Sequence, residues 1–165
     1  MAKYITESQG DTLYADSMPV FVYYLDEEDD FQMFDVWEDA TSTVRNAALV
    51  QSTRLIDSFE YDGSKNDSTQ ENAFPRNGQV GVPTEVRRAT FALALEILTR
   101  HYRRVYTDPV QQQYLDNGAT DINLRVNNAQ EAIKYEKEVP LEVVARPYLK
   151  KWLKGRFTTT ARKAL

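Results

Sequence analysis

The chain has 165 residues, 42% of them apolar and 27% charged, with a net charge of −5, one histidine and no cysteine. Such a chain fits one soluble domain around one core, and the lack of cysteine excludes disulfides and thiolate metal sites. The longest apolar run, Val20 to Leu25, stops at Asp26, far short of the roughly 18 residues of a membrane helix, and Met1 to Glu7 lacks the apolar core of a signal peptide.

The charge is divided along the chain. Residues 1–85 carry 5 Lys/Arg against 17 Asp/Glu, and residues 86–165 carry 15 against 8. The last twenty residues, Arg146 to Leu165, hold seven basic residues and no acid. Two differently charged faces or ends would let identical subunits pack one sign against the other; a solvated surface with a basic tail is the plainer alternative.

In chain order, residues 17–25 read as a short helix, with Ser17 as cap and Pro19 in its first turn. A strand is the rival reading, because Val20 to Tyr24 are β-branched or aromatic. Asp26 to Asp30 break the pattern. A firmer helix is expected over 40–60, where Val44, Ala48, Leu55, Ile56 and Phe59 recur at steps of three and four, capped by Thr41 or Ser42. Residues 62–83 then form a long loop rich in turn formers, which Phe74 pins to the body. The strongest helix is 84–106, capped by Thr84, with Val86, Ala89, Leu93 and Ile97 on one face and Phe91, Leu95, Leu98 and Tyr102 on the next. Residues 107–130 are polar, with a helical turn in 109–115 and a turn at Asn117-Gly118. Alternation over 131–144 suits a strand or hairpin arm with Pro140 at an edge. Pro147 opens a short helix closed by Gly155, and 156–165 form a basic arm. The fold class expected is mainly α: a small helical bundle with a long loop and a minor β-hairpin or extended element, plus an extended C-terminal arm. The body spans 1–146 and a docking helix with its arm spans 147–165.

Catalysis needs convergent groups, and none is evident. His101 has no metal-ligating residue at workable spacing, the glycines match no phosphate loop, and no Gly-x-Ser-x-Gly elbow occurs. The run Asp26 to Asp30 lacks the spacing of a calcium loop and reads as a solvated acidic surface or a contact for a basic neighbour. Two clusters place aromatics beside cations, Tyr102-Arg103-Arg104-Val105-Tyr106 and Tyr148 to Trp152. Such clusters can stack on single strands, although core plus rim is the commoner meaning and a pI near 5.0 is unlike a sequence-independent DNA binder. No enzyme activity and no cofactor or metal is therefore expected.

An ordered series runs through the middle of the chain: Ala47-Ala48-Leu49-Val50-Gln51-Ser52-Thr53-Arg54-Leu55-Ile56-Asp57, Phe59, Gly63, Gln70, Phe74-Pro75-Arg76, Gly81-Val82-Pro83, Glu85-Val86, Ala89 and Ala92 to Leu95. It resembles the head–tail connector proteins of tailed bacteriophages, the adaptor and head-completion group that also goes by the description DnaT-like single-stranded-DNA-binding. The resemblance covers 40–98. It implies a non-enzymatic structural subunit in the virion neck, assembled in the host cytoplasm. Such a subunit would form a dodecameric ring that extends the DNA channel between the portal and a tail-side protein. Genome DNA would pass through without specific binding, and no membrane is involved. By the same resemblance the C-terminal segment reaches onto the portal, with Tyr148, Leu149, Trp152, Leu153, Lys154, Arg156 and Phe157 as docking residues. Phe74, Arg76, Arg87 and Arg88 are the candidate ring or loop contacts. The alternative is a single-stranded-DNA-binding module.

Overall fold

A computed structural model describes residues 2–25, 31–106, 121–126, 129–134 and 139–154. Four helices and two hairpins appear among them, so the protein is mainly α with minor β elements, as the sequence implies. In order they are α1 (Glu7–Ala15), β1 (Phe21–Leu25), β2 (Phe31–Asp35), α2 (Ser42–Asp57), α3 (Thr84–Tyr106), β3 (Asp121–Val126), β4 (Ala129–Lys134) and α4 (Leu141–Leu149). The arm expected over 155–165 and the turns expected over 107–120 lie outside the described residues.

The first helix has no apolar stripe to announce it; its start is fixed chemically. Thr6 Oγ1 accepts from the Gln9 amide at 3.2 Å while the Thr6 amide donates to Gln9 Oε1 at 3.0 Å, a reciprocal cap that satisfies two otherwise orphaned donors. Thr41 caps α2 in the same sense, accepting from Val44 N.

The expected helix over 17–25 is corrected to a strand. β1 pairs antiparallel with β2, in register Val22 to Phe34, Tyr23 to Met33 and Tyr24 to Gln32. Its two faces explain the choice. Val22 is buried, and Tyr24 stacks on Tyr106 at 4.0 Å while Phe34 meets Tyr102 at 4.2 Å, so one face lies on the end of α3. Tyr23 and Met33 point the other way and are more than half exposed. A period of two carries this arrangement; a helix would not.

α3 is about 34 Å long at the usual rise per residue and runs through both parts of the core. One part gathers Ile5, Tyr14, Val36, Trp37, Leu49, Phe91 and Leu98; the other gathers Tyr4, Ile56, Phe74, Val86, Leu93, Leu149 and Trp152. α2 packs on α3 through small residues. Ser52, Thr53, Ala89 and Thr90 are fully buried, and the three hydroxyls donate to carbonyls one turn back, Ser52 to Ala48, Thr53 to Leu49 and Thr90 to Val86, at 2.8 to 3.0 Å. The polar atoms are thus satisfied within their own helix.

The C-terminal helix is also corrected. It spans Leu141–Leu149, with Pro147 inside it. Leu141, Ala145 and Leu149 stand four apart and turn toward the body. All three are odd-numbered, so a four-residue step imitates strand alternation over a short window. The same chain runs antiparallel to α3: Arg100 donates to the Val139 carbonyl and Lys151 pairs with Glu85. The hairpin β3–β4 pairs from Asp121–Lys134 to Val126–Ala129, which agrees with the expected hairpin only up to Lys134.

Candidate functional site

The link between α2 and α3 is where the ordered residue series does its structural work. Asp57 closes α2 and reaches across to the loop: its Oδ1 accepts from the Ala73 amide at 2.8 Å and from the Tyr4 hydroxyl. The Tyr4 hydroxyl accepts in turn from the Phe74 amide at 3.1 Å. Gln70 Nε2 donates to the carbonyls of Asn72 and Pro75, and the Phe74–Pro75 bond is cis. Arg76 is folded inward. Its guanidinium donates to Gly63 O at 2.7 Å and Tyr61 O at 3.3 Å and lies 5.1 Å from the Tyr61 ring. Gly63 has φ +78°, and a Cβ there would strike the Asn77 side chain, so glycine is required.

Phe74 and Arg76 are 2% and 5% exposed. Of the expected ring or loop contacts, these two are loop contacts: both hold the loop from inside, and Phe74 pins it to the body as the sequence implies. Arg87 and Arg88 are exposed on the first turns of α3, and Arg88 lines an open groove of about 330 Å³ with Leu13, Asp16, Phe91, Leu95 and Tyr148.

The docking residues separate in the same way. Leu149, Trp152 and Leu153 are buried in the body's own core, Trp152 edge-on to Phe74 at 5.3 Å. The main chain beyond α4 is sewn to the loop, with Asp62 N donating to Trp152 O at 2.8 Å and Lys154 N to Glu60 O at 2.9 Å. A free docking helix anchored by Trp152 is thus corrected to a structural strap, and a domain boundary at residue 146 would cut α4 in two. Tyr148 and Lys154 remain exposed; Arg156 and Phe157 lie outside the described residues.

A third region joins aromatic and basic character. At the end of α3, Tyr24, Phe34, Tyr102 and Tyr106 form a continuous ring cluster, and His101, Arg103 and Arg104 stand exposed on the same turns. The sequence pointed to the 102–106 part; it missed Tyr24 and Phe34, which the unrecognised hairpin delivers. The alternation of Val22, Tyr24 and Gln32, Phe34 was the available signal. Among the described residues no group of three or more His, Cys, Asp or Glu could hold a metal ion, and no helix is long and apolar enough to cross a membrane.

A small α-helical body with a braced interhelical loop and two hairpins is the class defined by this architecture. The family model described as "Putative DnaT-like ssDNA binding protein" matches residues 25–135, and the chain belongs to that family. No curated protein and no solved structure matches it.

Proposed function

We propose that the protein is a non-enzymatic structural subunit of the tailed-phage neck, assembling as a ring between the portal and a tail-side protein. The observation that carries the reading is the residue series from Ala47 to Leu95. It resembles that of connector subunits, and its members Asp57, Gly63, Gln70, Phe74 and Arg76 build one braced loop between α2 and α3. A residue pattern that serves geometry suits a part whose work is shape. The unequal charge of the two halves suits packing in a head-to-tail ring, and DNA would pass such a ring without being gripped.

The test is to mix the protein with its purified portal and image the mixture by negative stain. A collar of added density on one face of the portal is expected; absence of co-sedimentation and of added density overturns the reading.

A second reading, single-stranded-DNA binding, is favoured by the family's description and by the ring cluster of Tyr24 and Tyr106 beside Arg103 and Arg104. Stacking on such rings is worth roughly 1–3 kcal/mol per base. It predicts micromolar binding of labelled oligonucleotides that weakens steeply with salt and falls about tenfold in Tyr106→Ala. A flat anisotropy signal at low salt removes it.

A further inference from the structure

One turn of the braced loop is built from a chemically labile pair. Gln79 N donates to the Arg76 carbonyl at 3.1 Å. The two residues between them, Asn77 and Gly78, have φ +53° and +75°, the signs of a type I′ turn. Asparagine and glycine take such a backbone most readily. A Cβ at Gly78 would meet nothing within 4 Å, so the sign of φ asks for glycine here, not crowding. The same pair is prone to lose the asparagine amide, because no side chain on the glycine hinders its nitrogen from reaching Asn77 Cγ. Both residues are exposed, so water has access to them, and hydrogen bonds hold the reacting groups in place where burial does not. The Gly78 amide donates to Asn66 Oδ1 at 2.7 Å, and Asn66 Nδ2 donates to Gln79 O at 2.8 Å. Asn77 Oδ1 accepts from Ser64 N at 3.0 Å, and Asn77 Nδ2 donates to Asp62 O at 3.4 Å. The Asn77 amide group also lies close against Gly63, where a Cβ would stand 2.0 to 2.5 Å from its atoms.

We propose that Asn77–Gly78 is a latent self-modification site, kept from deamidating by the closed loop and released when the loop opens. In the open loop Gly78 N attacks Asn77 Cγ. The new N–Cγ bond forms, the Cγ–Nδ2 bond breaks, and ammonia leaves with the proton of the attacking nitrogen. Water then opens the cyclic imide at either carbonyl, leaving aspartate or isoaspartate. Water is the only co-reactant. In the closed loop the Gly78 N–H is engaged by Asn66, and the Asn77 side chain must leave Ser64 and Asp62 before Cγ can turn toward the nitrogen. The product does not fit the site that protected it. A carboxylate has no proton to donate to the Asp62 carbonyl, and two acceptors left facing each other are costly. Isoaspartate also adds a backbone carbon to a turn closed between Arg76 and Gln79. Opening is therefore recorded in one direction: a loop that stays open long enough to react does not close again in the same way. The inference concerns the loop alone and is independent of the assembly reading.

The test follows the tryptic peptide from Asn77 to Arg87, in which Asn77 is the sole asparagine. The full-length protein is incubated in mildly alkaline buffer, folded or in urea. Deamidated and isoaspartyl forms of the peptide are quantified over time by mass spectrometry, with the starting sample subtracted. The folded wild type is expected to react several-fold more slowly than the protein in urea. Asn66→Ala frees the Gly78 amide and is expected to react several-fold faster than wild type while its circular dichroism is unchanged. Asn66→Asp keeps an oxygen acceptor for that amide and is expected to stay near the wild-type rate, which separates the Gly78 hydrogen bond from a general loss of fold. Equal rates in the folded and unfolded wild type overturn the proposal, and this comparison decides even if Asn66→Ala fails to fold. A folded Asn66→Ala that reacts no faster than wild type, or an Asn66→Asp that reacts as fast as Asn66→Ala, overturns the protection by Asn66. Asn77→Asp reproduces one product and is expected to lower the unfolding midpoint; an unchanged midpoint overturns the one-way consequence.

Discussion

Asp57 shows how one side chain can hold distant parts together and make their union depend on pH. Its Oδ1 accepts from Tyr4 and from the Ala73 amide, while its Oδ2 has no hydrogen-bond partner. Burial pushes the carboxyl above the usual aspartate range, against the opposing pull of the Tyr4 and Ala73 hydrogen bonds. The folded state therefore holds this proton more tightly than the unfolded chain. Its contribution to stability is present at low pH and is lost as pH rises through the raised value. Asp57→Asn keeps an acceptor oxygen and removes the titration. The difference in Tm between wild type and variant should shift in favour of the variant as pH rises from 4 to 7, as followed by circular dichroism; a pH-independent difference would contradict the burial argument. Gly10 gives a second residue-scale expectation. Alanine in a helix interior ordinarily stabilises by up to about 1 kcal/mol over glycine. Here a Cβ would lie 2.5 Å from Trp37 Cζ2. Trp37 is fully buried, its Nε1 donates to Asp11 at 2.9 Å, and Phe91 packs edge-on at 5.0 Å, so the indole cannot give way. Gly10→Ala should therefore cost about 1–3 kcal/mol in urea unfolding, the reverse of the propensity expectation.

The elements were legible in proportion to their length and the width of their buried face. α3 was read at its observed bounds because 23 residues offer several turns of consistent spacing. α2 was read to within a few residues for the same reason. α1 was missed because only Gly10 and Tyr14 of its nine residues are buried; the Thr6-to-Gln9 cap was its one local sign. β1 was read as a helix because five residues cannot distinguish a period of two from one of 3.6 when nearly all are apolar. Its partner β2 became visible only through pairing. α4 was displaced because Pro147 looks like a helix start, yet Leu141 and Ala145 have a core to reach. The site suffered likewise: Trp152 is conspicuous beside lysines, and sequence alone does not show that Phe74 and the loop wait underneath. Trp152→Ala should cost about 3–5 kcal/mol and lower the midpoint of cooperative unfolding. Lys154→Ala, at an exposed position, should stay within about 0.5 kcal/mol. If Trp152→Ala melted like the wild type, the strap assignment would fail and a free docking anchor would return.

At the level of the whole molecule, the division of charge was plain in the sequence, whereas its meaning depended on which apolar residues the fold left outside. Tyr23 and Met33 on the hairpin and Val139 and Val143 at α4 are exposed apolar positions that the sequence alone did not set apart from the core. The strap has a different consequence, which concerns time. Tyr61 pairs with Leu153 across most of the chain, and Trp152 completes the part of the core built on Phe74, Val86 and Leu93. On the ribosome, the α1–hairpin–α2–α3 half can collapse as soon as α3 emerges, but the braced loop stays uncovered until the last strap residues have been synthesised. Contacts so distant in sequence form late because closing the intervening chain is entropically costly. A chain cut short before the strap would then lack the contacts that close the loop and complete the part of the core built on Phe74, Val86 and Leu93.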